Sequence, residues 1–264
     1  MSTCQGKKIR ECIGCVGCLQ RTRRASGLRC KLNRILSAKI DSEWIMKRGN
    51  KDEPLIKDVT GVILAGGKSS RYGKNKSFVK VNGIPLIERV IREMKDVFQD
   101  VIIITNTPNE YAYLTFPMFE DLIKGLGPLG GIYTALRSLQ TRTGFFVACD
   151  MPTINQKLIK YMVGNRYDHD IVVPRIAGRL EPLCALYRLS CLPPIKRLLD
   201  AGQYQIFSFF DEVSVRYIEE EEIRRIDSGL RTFFNINRPE ELNQFHEALR
   251  QERERRKGER KDVH

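Results

Sequence analysis

Long apolar runs are absent from this chain. Its longest apolar stretches, such as Val101–Ile104, suit buried strands and are far shorter than the ~20 residues that a membrane-spanning helix needs. The first residues are polar and basic, and they lack the apolar segment of a secretory signal. Histidine is scarce, and we interpret its three unclustered copies, His169, His246 and His264, as surface residues. We therefore expect a cytoplasmic protein with no membrane partner.

Excess positive charge is also scarce in the middle of the chain, although the whole chain carries a formal net charge of +13. Residues 1–59 carry +8, while residues 60–250 carry only +3. Five of the eight cysteines lie in the first 30 residues. The middle is therefore not a general polyanion binder, and nucleic acid is not an expected partner for it.

The composition divides the chain into three parts. Residues 1–59 are predicted to be a basic, cysteine-containing extension that ends in a polar linker, and Met46 before that linker is an alternative translation start. Residues 60–250 show the apolar periodicity of a folded domain. Residues 251–264 are predicted to be a charged tail.

Strands and helices are predicted to alternate in the middle part. Apolar strands are predicted at 61–65, 100–105 and 145–149, with helical periodicity after Pro85 and over 128–139. Such units form parallel sheets covered on both faces, so we predict an α/β fold: a Rossmann-like, doubly wound, mostly parallel sheet. A ligand should then bind at the carboxyl ends of the strands. Further strands are predicted at 170–173, 183–187 and 213–218, and further helices at 154–163, 192–199 and 239–249.

A glycine-rich loop follows the first predicted strand. Gly66 and Gly67 allow the backbone to turn sharply and to point successive N–H groups at one anion. Arg71 and Lys76 add two flexible cations, which suits a triphosphate. The spacing is not that of a Walker A motif or of a full dinucleotide-binding fingerprint. The alternative is an ordinary surface turn.

Two carboxylates stand at informative places. Asp150 directly follows the strand predicted at 145–149 and would hold Mg²⁺ between itself and substrate phosphates; the alternative is the cap of a helix starting near Thr153. Asp121 precedes the glycine-rich stretch 125–131 and would accept hydrogen bonds from a ribose or a base. For Asp121 the alternative is an ordinary loop before a Pro-initiated helix.

Five segments of the middle part carry a family resemblance: LAGGKSSRYGKNK, DLIKGLGPLGGI, ACDMP, EPLCALY and FFNINRPEEL. In this order and spacing, over about residues 60–248, they are similar to the molybdenum cofactor guanylyltransferase family of the NTP-transferase group. The resemblance implies a Mg²⁺-dependent nucleotidyltransferase that moves GMP from GTP to the phosphate of molybdopterin and releases pyrophosphate. GTP and a molybdopterin-type acceptor would be its substrates, with molybdoenzyme chaperones or other cofactor-synthesis proteins as further partners.

The resemblance also assigns residues to nucleotide binding. It implies that the backbone of Leu64, Ala65 and Gly66 contacts the nucleotide, and the glycine-rich loop extends this set to Gly67. It implies that Lys76 binds phosphate.

Further residues are assigned toward GTP, the metal and the acceptor. Asp121 matches an aspartate that contacts GTP, and Asp150 matches one that contacts both GTP and Mg²⁺. Asn235 and Asn237 match asparagines near the metal and the pterin, and Asn237 is the second candidate metal ligand. Since a phosphate oxygen is already nucleophilic, we expect catalysis by positioning and charge neutralisation, through Arg71, Lys76 and Asp150.

Two departures from the family pattern stand out. Asn75 replaces a usual aspartate, which keeps the hydrogen-bonding shape without the charge. Some members have Asn-x-Asn where this chain has Ile104-Thr105-Asn106, so no contact is assigned there.

The choice of guanine depends on Gly66-Gly67, because cytidylyl relatives tend to have Ala-Gly. A molybdopterin cytidylyltransferase, or another small-molecule nucleotidyltransferase, is the alternative.

The extension supports a hypothesis of another class. Cys12, Cys15, Cys18 and Cys30 are metal-ligand residue types, and the arginines and lysines near them would suit nucleic acid. The chain would then be a metal- or nucleic-acid-binding regulatory module with a nucleotide-sensing domain. Against this, the run has neither a paired CxxC pattern nor a ferredoxin motif.

Two remaining patterns have unexceptional interpretations. Cys149 and Cys184 stand in apolar runs, and we predict buried inert thiols rather than a redox pair. The acidic run 219–222 is predicted to begin a solvated helix rather than to bind a metal.

Overall fold

The computed structural model describes residues 53–66, 75–236 and 241. Its strands are β1 (Thr60–Leu64), β2 (Lys80–Val81), β3 (Ile84–Pro85), β4 (Val101–Ile104), β5 (Met118–Phe119), β6 (Thr143–Ala148), β7 (Ile171–Ile176), β8 (Arg179–Leu180), β9 (Cys184–Arg188) and β10 (Val215–Glu219). Its α-helices are α1 (Leu86–Lys95), α2 (Gly127–Ser138), α3 (Gln156–Gly164), α4 (Leu192–Asp200) and α5 (Glu220–Arg224). Short 3₁₀ helices lie at Lys76–Phe78, Pro108–Tyr111, Leu189–Cys191, Ile206–Glu212 and Arg231–Phe233.

One sheet organises these elements. Its strand order is β10-β7-β9-β6-β1-β4-β5, and β8 pairs with β7 outside this path. The central strand β1 is parallel to both β4 and β6, with Val62 opposite Ile102 on one side and Phe146 on the other. Only β9 and β8 run antiparallel to their neighbours within this sheet of the described chain. The predicted α/β fold with a mostly parallel sheet is confirmed.

Side chains of the central strands alternate between two cores. Ile63, Ile103 and Val147 pack on one face, against helices α1 and α3. Val62 and Phe146 pack on the other face, against α2 and α4. This alternation explains why the strands are apolar without interruption: both faces of the sheet are covered, so neither set of side chains meets water. It confirms the prediction of helices on both faces.

The helices begin where the sequence provides a start signal. Asn155 caps α3, and its side chain accepts a hydrogen bond from the N–H of Lys157. Glu219 and Glu222 form a capping box at the start of α5, which confirms that the acidic run begins a helix. Helix α2 has Pro128 in its first turn. The helix predicted at 239–249 lies outside the described residues, apart from residue 241.

The described fold extends slightly before residue 60. Val59 is fully buried, and Ile56 forms a bridge to Phe98, three residues after the end of α1. The rest of the predicted extension and the predicted tail lie outside the described residues, so the proposed division of the chain stays a prediction. No helix within the described ranges has the length and apolar character needed to span a membrane.

The cysteines of the domain are buried free thiols. Cys149, Cys184 and Cys191 have no disulfide partner in the described part of the chain. Burial raises the pKa of the Cys149 thiol to about 11 and that of Cys191 to about 12, so these thiols stay protonated at neutral pH. The prediction of inert buried thiols at Cys149 and Cys184 is confirmed.

Candidate active site

The carboxyl ends of β1, β4, β5 and β6 meet at one edge of the sheet. Leu64 ends β1, Ala65 is buried directly after it, and Gly66 is exposed. The carbonyl of Leu64 accepts a hydrogen bond from the N–H of Cys149, and the N–H of Ala65 donates to Ile104. The predicted nucleotide-binding backbone is therefore fixed between β6 and β4. Gly67 and Arg71, also predicted for this site, lie outside the described residues.

Lys76 and Asp150 meet at this edge. Lys76 Nζ donates to Asp150 Oδ2 over 2.9 Å, and the two side chains are 20% and 21% exposed. Lys76 begins a 3₁₀ helix after the glycine-rich loop, and Asp150 stands two residues past the end of β6. Asp150 does not cap the next helix, because Asn155 does so. Two residues separated by 74 positions thus form one half-buried charged pair.

Asp121 occupies the other side of this edge, two residues after β5. Its Oδ2 accepts a hydrogen bond from Asn106 Nδ2 over 2.6 Å, and its N–H donates to Asn106 Oδ1 over 3.1 Å. Burial raises the pKa of the Asp121 carboxyl, and the hydrogen bond from Asn106 partly offsets this. Asp121 Oδ1 is buried and has no hydrogen-bond partner among the described residues. A ligand hydroxyl or N–H group would satisfy this atom.

Glycines bring helix α2 close to Asp121. A Cβ on Gly131 would lie 3.4 Å from Leu64 Cδ2 and 3.7 Å from Asp121 Oδ1. Gly125, before the helix, and Gly127, its first residue, have φ angles of 87° and 63°, in the left-handed region that favours glycine. The glycine-rich stretch 125–131 therefore forms the wall beside Asp121.

Asn235 lies beside Asp150. The N–H of the next residue, Ile236, donates to the backbone carbonyl of Asp150 over 3.1 Å. Asn235 Oδ1 is buried and has no hydrogen-bond partner in the described part of the chain. Asn237, the second predicted metal ligand, lies outside the described residues.

The oxygen atoms near Asp150 fit a hard cation. A carboxylate and an orphaned amide oxygen are ligands that Mg²⁺ accepts, and Mg²⁺ keeps several waters and is usually held through one or two carboxylates plus substrate phosphates. Within the described ranges, no group of three or more His, Cys, Asp or Glu residues is arranged to hold a metal ion without further ligands. The residues present therefore fit a cation that is shared with a phosphate ligand.

Three residues that sequence reasoning missed or left unassigned belong to the site. Asn106, to which no contact was assigned, holds Asp121. Tyr111 and Ser77 form hydrogen bonds beneath the Lys76–Asp150 pair, with Tyr111 Oη donating to Ser77 Oγ over 2.9 Å. No local pattern identifies Tyr111, since Ser77, Asn75 and Ala65, to which its hydroxyl bonds in the site, are 34 to 46 positions away in the chain.

Comparisons with known proteins identify the family of this chain. The sequence profile of the MobA-like NTP transferase domain matches residues 61–215. The chain belongs to this family. A molybdenum cofactor guanylyltransferase from Desulfosudis oleivorans is 40% identical over 194 residues, which are 73% of this chain and 96% of that protein. A probable molybdenum cofactor guanylyltransferase from Peptoclostridium acidaminophilum is 34% identical, covering 74% of this chain and 91% of that protein.

A solved structure of another relative shares the fold of this MobA-like domain. The crystal structure of molybdopterin-guanine dinucleotide biosynthesis protein A from Archaeoglobus fulgidus has a TM-score of 0.66 and 27% sequence identity. The match covers 73% of this chain and 99% of that chain. The family predicted from the five motifs is therefore confirmed, while the roles of single residues stay predictions.

Proposed function

We infer that this chain is a molybdenum cofactor guanylyltransferase, which transfers GMP from GTP to the phosphate of molybdopterin and releases pyrophosphate. One observation carries this inference: the chain aligns with 96% of a protein of that name at 40% identity. The pairing of Lys76 with Asp150 at the carboxyl edge of the sheet supports it, because a nucleotidyltransferase needs a cation for phosphates and a carboxylate for a metal at one place.

Each side of the site has a separate task in this proposal. The nucleoside of GTP lies on the β1–β5 side, where the free Oδ1 of Asp121 accepts a hydrogen bond from its ribose or base. The backbone of Leu64, Ala65 and Gly66 follows the nucleotide, and Gly67 extends this backbone surface. The acceptor approaches on the side of Asp150 where Asn235 lies, since the residue after Asn235 bonds to the Asp150 carbonyl.

The residues of the site act by holding charge in place. Lys76 binds the phosphates that leave as pyrophosphate, and Arg71 neutralises the negative charge that grows as the bond to the α-phosphorus breaks. Asp150, with Asn235 and Asn237 as further oxygen ligands, would hold Mg²⁺, which supplies charge neutralisation between the phosphates when it is bound. The attacking group is a phosphate oxygen of the acceptor, so the site needs no general base.

Pyrophosphate release by the full-length chain tests the reaction. GTP, CTP and ATP are supplied one at a time with Mg²⁺, with and without a molybdopterin-type acceptor. We expect release with GTP that requires the acceptor. Release with CTP but not with GTP or ATP would instead indicate a cytidylyltransferase. Release with none of the three nucleotides would exclude the transferase function.

Asp150→Asn tests the metal and phosphate site. The variant keeps the shape of the side chain but loses its charge, so we expect kcat to fall by about 10²- to 10³-fold with an unchanged melting temperature. Glu120→Gln is the matched control, since Glu120 is exposed, pairs only with Lys124 among the residues described, and lies beside Asp121. Turnover of Asp150→Asn near that of the control would exclude Asp150 from the site.

A further inference from the structure

A chain of side-chain hydrogen bonds runs beneath the Lys76–Asp150 pair. Asn75 Nδ2 donates to Tyr111 Oη over 2.9 Å, Tyr111 Oη donates to Ser77 Oγ over 2.9 Å, and Ser77 Oγ donates to Cys149 Sγ over 3.1 Å. We call these four residues, Asn75, Tyr111, Ser77 and Cys149, the hydroxyl relay. Tyr111 Oη also lies 3.3 Å from Asn75 Oδ1 and 3.4 Å from the carbonyl oxygen of Ala65, and its contact with Ser77 is the shortest of the three to an acceptor.

The relay is built into the core. Tyr111 is fully buried and Ser77 is 1% exposed, and the Tyr111 ring packs on Phe78 with 4.9 Å between ring centroids. Burial raises the pKa of the Tyr111 hydroxyl, which keeps its proton available for donation. A buried hydroxyl without partners costs stability, whereas one with every partner in place rigidifies its surroundings.

The two ends of the relay adjoin the two charged residues of the site. Asn75 directly precedes Lys76, and Cys149 directly precedes Asp150. Ser77 directly follows Lys76, and its N–H donates to Asn75 Oδ1 over 3.1 Å. The relay and the ion pair therefore close a ring in which Tyr111 is the only member from another part of the chain, the 3₁₀ helix Pro108–Tyr111.

We propose that Tyr111 is a positioning residue, whose hydroxyl holds Lys76 and Asp150 at the separation that GMP transfer requires. Its action is indirect, because its hydrogen bonds lead to Asn75 on one side and through Ser77 to Cys149 on the other. The proposal rests on the roles proposed above for Lys76 and Asp150. A phenylalanine would fill the same space in the core, so packing alone does not explain a hydroxyl at this place.

Tyr113 offers a matched comparison two residues away. Its ring also packs near Phe78, with 6.5 Å between centroids, and its hydroxyl also makes a hydrogen bond, donated to Glu88 Oε1 over 3.1 Å. That bond leads to helix α1 rather than to Lys76 or Asp150. Tyr113→Phe therefore removes the same chemical group as Tyr111→Phe without breaking the relay.

The experiment compares Tyr111→Phe and Tyr113→Phe in the full-length chain. The measured quantities are the melting temperature, kcat and KM for GTP, and Mn²⁺ affinity by electron paramagnetic resonance in the presence of GTP. We expect Tyr111→Phe to lower kcat about tenfold or more and to weaken Mn²⁺ binding several-fold, because small misplacements of catalytic groups are costly. We expect kcat of Tyr113→Phe to stay within about twofold of the wild type, whatever its loss in melting temperature.

A second variant tests the relay as a unit. Ser77→Ala removes the next hydroxyl, and we expect it to lower kcat as Tyr111→Phe does. We expect the double variant Tyr111→Phe/Ser77→Ala to have a kcat little below that of either single variant. Equal kcat in Tyr111→Phe and Tyr113→Phe, or additive losses in the double variant, would overturn the proposal. Its failure is distinct from that of the site itself. Asp150→Asn and Lys76→Met would then still lower turnover strongly, whereas turnover near that of the wild type in those two variants would overturn the site.

Discussion

Asn75 uses both polar atoms of its amide. Its Nδ2 donates to Glu110 Oε2 over 2.6 Å and to Tyr111 Oη, while its Oδ1 accepts from the N–H of Ser77. An aspartate at this position could only accept hydrogen bonds. It could accept one from the N–H of Ser77 and one from the Tyr111 hydroxyl, and it would lose the bond to Glu110. It would also place its charge against that of Glu110. The asparagine of this chain is therefore matched to its own Glu110.

Asn75→Asp should lower both stability and turnover, because two carboxylates would meet where one hydrogen bond now lies. Glu110→Gln alone should have little effect, since Glu110 is exposed. In the double variant the new amide can donate to the new carboxylate, so we expect most of the loss to be restored. A double-mutant cycle on melting temperature and kcat measures this coupling, which we expect at about 1 kcal/mol. Additive effects would mean that Glu110 does not select asparagine.

At this scale, sequence reasoning finds residues whose chemistry is local and misses those whose role depends on distant partners. Lys76 and Asp150 stand at the ends of recognisable motifs, so their place in the site was predicted. Asp121 was predicted from the glycines after it, although β5, which positions it, has only two residues and gives no periodic signal. Tyr111 stands in no motif, because folding alone brings it to Ser77 and Asn75.

At the scale of elements, the entry into helix α2 depends on backbone geometry that glycine allows. Gly127 begins the helix at a φ of 63°, and a Cβ there would meet no atom within 4 Å. The cost of a side chain at this position is therefore backbone strain alone. Since this entry follows Asp121 and forms the wall beside it, strain here acts on the proposed nucleotide site.

Gly127→Ala should destabilise the fold by about 1–2 kcal/mol and raise KM for GTP, because alanine resists the left-handed conformation. Gly164→Ala is the control: Gly164 ends α3, has no left-handed φ, and likewise has open space around it. That variant should be neutral or stabilising by up to ~1 kcal/mol, with unchanged KM. Chemical denaturation and steady-state kinetics measure both, and equal stability of the two variants would contradict the strain argument.

Most elements were predictable because the sheet is covered on both faces, which leaves long apolar strands and periodic helices in the sequence. The direction of β9 was not predicted, yet a signal exists. Only residues 177–183 separate β7 from β9. A parallel connection needs a dozen or more residues, so this short one forces an antiparallel neighbour. The sequence of an apolar strand buried on both faces does not indicate whether the strand runs parallel or antiparallel to its neighbours. The length of the connection does.

At the scale of the whole molecule, the packing of α1 against α3 partly buries the carboxyl group of Glu93. Glu93 on α1 accepts a hydrogen bond from Gln156 Nε2 at the start of α3 over 2.8 Å. Burial raises the pKa of Glu93; the hydrogen bond from Gln156 and the charge of Arg92 lower it, and the charge of Asp96 raises it further. The folded chain therefore carries a carboxylate that would be more stable in water.

Glu93→Gln should raise the melting temperature at pH 8 and leave it unchanged below about pH 4.5, the ordinary pKa of this group. The folded state binds the proton more readily than the unfolded state, so stability falls as pH rises from that value through the raised folded pKa. Above this window the wild type keeps the full penalty, which the neutral glutamine removes. Thermal melts across pH 4 to 8 measure the difference, and a difference that does not depend on pH would refute this origin.

The ion pair between Lys76 and Asp150 has a consequence for competing anions. An inorganic phosphate without a bound metal ion can bind Lys76 only by separating it from Asp150. The half-buried Asp150 carboxylate would then lie beside a second negative group. A nucleotide with a bound divalent cation avoids this cost, because its phosphates pair with Lys76 while its cation pairs with Asp150. If Lys76 and Asp150 hold phosphate and metal as proposed, the pair favours ligands that bring a cation with them. In solutions rich in free anions, we then expect inhibition to follow the concentration of metal–pyrophosphate rather than that of phosphate.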